Sequence, residues 1–299
     1  MTYVASPDTR AYARTKGVDL DAVAAATGRE TLAREDVDRH LNGGGSAAGA
    51  GGASASHAAY WQVDHAAHGP VTEEAVSRIA QVTADNLGAA NAMIPQVTHQ
   101  DRADMRAVEG FRASLKQEAS SRGVKLTGLA FHVLVLARCL AEFPRFNASL
   151  SSDGETLTLK HYTHIGIAVD TPNGLMVPVI RDVDRKGLWQ IAEDITDLAG
   201  RAQKRKLRSE DMGGASTTIS NLGGIGGTGF TPIVNPPEVA ILGITRTEAV
   251  PTWDGEGWVP VPMAPLSLSY DHRVINGADA ARFLARYAAL MAEPRRLLI

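Results

Sequence analysis

Leu266-Ser267-Leu268-Ser269-Tyr270-Asp271-His272-Arg273-Val274-Ile275-Asn276-Gly277 is the most informative stretch of the chain. Up to Tyr270, apolar residues alternate with small polar ones, the period of a strand with one buried face. Ala278 to Met291 then follows helical spacing. Asp271, His272 and Arg273 stand at the junction, where ionisable residues in a row have no evident packing role. On spacing alone, an Asp–Arg ion pair closing the turn, with His272 carried along, is the favoured reading. A junction chosen for chemistry is the other.

Working outward, strand and helix signals alternate. Helices are expected over 73–87, 108–120, 126–143 and 188–207. Strands are expected near 97–104, within 156–169, and over 175–180, 216–220 and 239–244. The resulting class is α/β, a mixed sheet with helices on one face.

Residues 43–59 read GGGSAAGAGGASASHAA, without a charge. No side chain there can offset the entropy of ordering the backbone, so this is linker chemistry. The expected organisation is a small all-α domain over 1–42, a linker over 43–59 and a large domain over 60–299. In the small domain, Ser6-Pro7-Asp8 signals a helix start and Gly17 its stop. A second helix is expected over 34–41, with a loop between.

Composition excludes several classes. Lys plus Arg number 30 against 33 acids, giving a net charge of −3, so a broadly basic nucleic-acid surface is ruled out. One cysteine, Cys139, allows neither an intramolecular disulfide nor a multi-cysteine metal site. No apolar run is long enough to span a membrane, and the N-terminus lacks a signal-peptide pattern. A cytoplasmic protein is expected.

Other motifs are weaker. Gly224-Ile-Gly226-Gly-Thr-Gly229 fits a dinucleotide pattern, but Pro232, Pro236 and Pro237 follow and no helix can start there. A flexible glycine-rich loop is the better reading. Ser220 ends a hydroxyl-rich run, Ser216 to Ser220, with no nucleophile-elbow glycines around it. His161 and His164 have no third ligand at matching spacing, so no metal site is expected. Cys139 reads as a buried thiol, and the basic run 201–208 as a helix C-terminus.

The large domain resembles the catalytic domain of the dihydrolipoyl acyltransferases, the E2 components of 2-oxo acid dehydrogenase complexes. The matching motifs are Ile94-Pro-Gln-Val-Thr98, Glu142-Phe-Pro-Arg-Phe-Asn-Ala148, His164 through Asp182, Thr218-Ile-Ser-Asn-Leu-Gly223, Pro232 through Gly243, and Asp271 through Gly277. The pyruvate-type members are the most similar. Residues 1–42 resemble the peripheral subunit-binding domain of the same proteins, through Ala5-Ser-Pro7, Arg14, Gly17-Val-Asp-Leu20 and Glu35-Asp-Val37. Ala24 to Thr31 departs from the family's glycine-rich loop there, so binding of the decarboxylase (E1) or dihydrolipoyl dehydrogenase (E3) components is expected to be weak. Asn86 to Asn91 and Gln96 depart from the family's acceptor-side residues, and no lipoyl attachment lysine is found.

The resemblance implies a two-layer sandwich like chloramphenicol acetyltransferase, plus the small all-α domain, in homotrimers or larger homo-oligomers with sites between subunits. It implies acetyl-CoA as co-substrate and no metal. His272 would be the general base, Ser220 of a neighbouring copy the oxyanion donor, and Asn276 an aid to that geometry. Residues that hold CoA are not assigned. The departures and the missing lipoyl domain favour a free-standing enzyme acetylating a small-molecule hydroxyl, such as a tetronate-type intermediate. The alternative is the lipoyl-less core of a dihydrolipoyl acetyltransferase of a pyruvate dehydrogenase-type complex.

Overall fold

Trp258–Asp271 is a single strand of 14 residues, and the large unit is built around it. The computed structural model describes residues 4–27, 31–41, 63–172 and 174–298. The chain divides into two compact units, residues 1–74 and 75–299. The expected linker, 43–59, lies outside the described residues.

The distal half of the long strand pairs antiparallel with Ala240–Ile244 on one side and with Gln96–Asp104 on the other. Its proximal half forms a hairpin with Glu248–Trp253. Beyond Ala240–Ile244 the order continues through Thr217–Asn221 and Ile165–Ile167, both parallel joins, to Val179–Ile180. The sheet is therefore mixed, as the alternation predicted.

The two faces differ in chemistry. Because side chains alternate along a strand, Ile219, Leu242 and Leu268 form one cross-strand row, and all three are buried. This face carries the helices. Gly128–Glu142 is apolar nearly all round and lies within the core, packed against Leu188–Gln203 and Gly277–Ala292. The next rows out point the other way: Ser220, Gly243, Ser267 and Gln100, then Thr218, Ile241, Ser269 and Thr98.

Residues 222–238 cross that hydroxyl-rich face. Phe230 lies against Gly243, where a Cβ would come within 2.7 Å of its ring. The Val234 amide donates to Gln96 Oε1 at 2.7 Å. Ile94, Val234 and Ile241 form a small apolar cluster beneath. The glycine-rich part has turns and no helix, as its prolines require.

Several element boundaries moved. The helix expected over 73–87 is Arg78–Met93, capped by Ser77, whose hydroxyl accepts from the Ala80 amide at 3.2 Å. The expected helix 108–120 is two, Arg106–Ser114 and Lys116–Ser121. The strand expected over 175–180 splits into Gly174–Met176 and Val179–Ile180 around Pro178.

In the small unit, Ser6 caps Pro7–Lys16 and Gly17 ends it at φ 67°, as read from the sequence. A third helix, Leu20–Thr27, occupies most of the expected loop. Alanines at 22, 24, 25 and 26 favour it, having the lowest intrinsic cost in a helix. Residues 28–30 of the departing loop lie outside the described residues.

Candidate active site

The turn after the long strand is held from several sides. The Asp271 amide donates to the Val239 carbonyl at 2.9 Å, and the His272 amide to the Pro95 carbonyl at 3.1 Å. Asp271 is 2 % exposed. Its carboxylate accepts from Arg273 Nε at 3.0 Å and Nη2 at 2.7 Å, and from the Arg273 amide at 3.0 Å. The ion pair expected from spacing is thus present. It fixes the turn and leaves His272 exposed, its ring 5.9 Å from that of Tyr270. Asn276 caps the final helix, its Oδ1 accepting from the Asp279 amide at 2.9 Å. Arg145 reaches the Val274 carbonyl at 3.4 Å.

Ser220 lies elsewhere. It is half-buried near the end of Thr217–Asn221, in register with Gly243 and, one strand further, Ser267. Five residues along the strand and two strands across separate it from His272. At ~3.3 Å per residue and ~4.8 Å per strand, that is roughly 20 Å. One chain does not bring the two together.

Ser220 lines a cleft of about 480 Å³ on the hydroxyl-rich face. Leu87, Leu175, Val177, Ile233, Pro236 and Pro237 make its walls apolar, while Thr218, Ser220, Asn235 and Glu238 supply polar groups. Apolar walls with a few convergent polar groups are the usual make-up of a small-molecule site.

Glu238 and Lys160 were passed over in the sequence. Glu238 is 5 % exposed, accepts from Thr218 Oγ1 at 2.9 Å, and is pushed up to about 7 by burial, against the opposing pull of Thr218 and Lys160. Burial also lowers the Lys160 ammonium. The available signal was a carboxylate inside the otherwise apolar run Pro236-Pro-Glu-Val-Ala-Ile-Leu242.

The remaining candidates are structural. His161 and His164 precede the strand Ile165–Ile167, and His164 Nδ1 accepts from the Asp182 amide at 3.0 Å. No cluster of metal-ligating side chains occurs among the described residues. Cys139 is buried, its thiol pushed up to about 12 by that burial. In the basic run, Arg201 pairs with Asp197 and Asp211. Among the described residues, no helix is long and apolar enough to cross a membrane.

Residues 68–299 match the family described as 2-oxoacid dehydrogenases acyltransferase (catalytic domain). The chain is 48 % identical to the dihydrolipoyllysine-residue acetyltransferase component of the pyruvate dehydrogenase complex of Pseudomonas aeruginosa, over 99 % of this chain and 55 % of that one. It thus spans about half the length of the curated relatives it matches. Among solved structures, one addresses the role of a serine, a histidine and an asparagine in the catalytic mechanism of Azotobacter vinelandii dihydrolipoamide acetyltransferase. It is 49 % identical, with a TM-score of 0.78, over 80 % of this chain and 98 % of that one. Another, the cubic core of a pyruvate dehydrogenase multienzyme complex, is 50 % identical with the same TM-score and coverage.

Proposed function

The chain belongs to the 2-oxoacid dehydrogenase acyltransferase family, and from that premise we propose that it moves an acetyl group between the thiol of CoA and a dihydrolipoyl thiol. His272 acts as general base, Ser220 of the partner subunit donates to the oxyanion, and Asn276 holds the turn that aims the imidazole. The observation that carries this reading is one of spacing. The serine, histidine and asparagine examined in the Azotobacter vinelandii enzyme are separated by the same intervals as Ser220, His272 and Asn276.

The chemistry follows from the groups. Histidine can accept a proton near neutral pH, so His272 takes the proton of the attacking thiol as its sulfur bonds to the thioester carbon. The carbonyl electrons move to oxygen, and the Ser220 hydroxyl of the partner subunit stabilises that charge. When the oxyanion collapses, the original carbon–sulfur bond breaks and the leaving thiolate recovers the proton from the imidazolium. The separation of Ser220 and His272 within one chain supports a homo-oligomer with sites between copies.

The relatives named above are dihydrolipoyllysine or dihydrolipoamide acetyltransferases. That favours a dihydrolipoyl acceptor over the small-molecule hydroxyl expected from the sequence, and the tetronate reading is set aside. The test is acetyl transfer between acetyl-CoA and dihydrolipoamide. His272→Ala should lose about 10²–10⁴-fold in kcat with assembly size unchanged. Near-normal turnover in that variant would refute the assignment.

A further inference from the structure

Thr218 and Ser220 leave the same face of one strand, two residues apart. Gly166 in the neighbouring strand makes room for the Thr218 hydroxyl, since a Cβ there would lie 2.5 Å from Oγ1. That hydroxyl donates to Glu238 Oε1 at 2.9 Å. Glu238 Oε2 is buried and has no hydrogen-bond partner among the described residues. A fold gains nothing in stability from a buried carboxyl satisfied at one oxygen only, and this one borders the cleft that contains Ser220.

The surroundings define its charge balance. Lys160, which follows the strand Leu157–Leu159, is the charged group facing Glu238. Its ammonium donates to the Ala215 carbonyl at 3.0 Å. The other groups packed there are neutral: Thr218 from the central strand, Asn235 from the crossing loop, and Ser149, whose hydroxyl donates to the Pro237 carbonyl at 2.6 Å. Ala215 follows Gly213 and Gly214, whose φ values of 71° and 73° shape the cleft wall.

We propose that Glu238 is a positioning residue for acyl transfer: through Thr218 it fixes the strand segment that presents Ser220, while Lys160 remains on Ala215 and holds the adjoining wall, where Ala215 and Thr218 both flank Gly166. This rests on the acyl-transfer reading above. With its carboxyl raised to about 7, Glu238 is the neutral acid below that pH and a buried anion above it. The anion draws the Lys160 ammonium from Ala215, so the wall and Thr218 shift together. Turnover is supported by the acid form and declines as Glu238 loses its proton.

The experiment measures kcat, and KM for acetyl-CoA and dihydrolipoamide, from pH 6 to 8.5. It compares the wild type with Glu238→Gln, Glu238→Ala and Thr218→Val. Glutamine keeps the acceptor for Thr218 and cannot ionise. Its kcat should match the wild type within about threefold at pH 6, and the ratio of variant to wild type should rise at least about threefold by pH 8.5. At pH 6, Glu238→Ala and Thr218→Val should lose about tenfold in kcat with both KM values little changed. A flat Glu238→Gln ratio overturns the proposal, as does wild-type kcat in Glu238→Ala. If the alanine variant fails to assemble by gel filtration, the glutamine ratio decides. A wild type that transfers no acetyl group overturns the acyl-transfer reading and this proposal with it. An active wild type with a flat ratio overturns this proposal alone.

Discussion

An exposed imidazole at the end of a buried strand is either a passenger of the turn or its purpose. At His272 the Asp271–Arg273 ion pair anchors the turn, so the ring itself carries no structural load. In the acyl-transfer reading proposed above, the complementary group is Ser220. Ser220→Ala should cost kcat about 10²–10³-fold, the cost of losing one oxyanion donor, and leave the KM for acetyl-CoA nearly unchanged. A steady-state comparison checks this, and an effect confined to KM would make Ser220 a binding residue. The Asp–Arg ion pair of the Asp-His-Arg junction was legible in the sequence because its partners are local; the Asn276 cap, though equally local, was not read there. Spacing by itself favoured the ion pair, and only the family resemblance raised His272 above it. Glu238 was not legible. Its character comes from Thr218 and Lys160, which lie 20 and 78 positions away along the chain and meet it only through the sheet.

Elements were read well where one period ran unbroken. Gly128–Glu142 and Gly277–Ala292 lie within two residues of their expected bounds. The long strand was read only from Leu266, because Pro260, Pro262 and Pro265 lack the amide that a strand interior normally uses. Its hairpin partner Glu248–Trp253 was missed for the same reason, since Pro251 sits opposite Pro260. The helix pair also conceals a titratable contact. His132 Nδ1 lies 2.7 Å from the Tyr287 hydroxyl, fully inside the core, and burial lowers His132 to about 4. The unfolded chain binds this proton near pH 6.5 and the folded one only near 4, so stability is complete above 6.5 and declines as pH falls through that window. The loss should reach on the order of 3 kcal/mol at the acid end. Thermal melts from pH 7 to 4 should show it, and His132→Gln should flatten the slope. An equally steep slope in the variant would place the acid sensitivity elsewhere.

At the scale of the whole molecule, the sequence carried the class of fold and the composition break at 43–59. It carried no direct signal of assembly, because a surface that meets another copy has the same composition as any other half-apolar face. The assembly has its own test. Chains bearing Ser220→Ala and chains bearing His272→Ala should each be nearly inactive alone. Unfolded together and refolded as mixed oligomers, they should recover a fraction of wild-type turnover, because some interfaces then pair an intact histidine with an intact serine. No recovery in verified mixed oligomers would place both groups in one chain's site. The roughly 20 Å between Ser220 and His272 in a single chain also has a kinetic meaning. On the reading proposed above, a newly made chain holds half a reaction centre and is mute towards thioesters. Specific activity should therefore vanish on dilution below the association threshold, with an order in protein concentration above one, and no acetyl-CoA is spent by chains that have yet to find their neighbours.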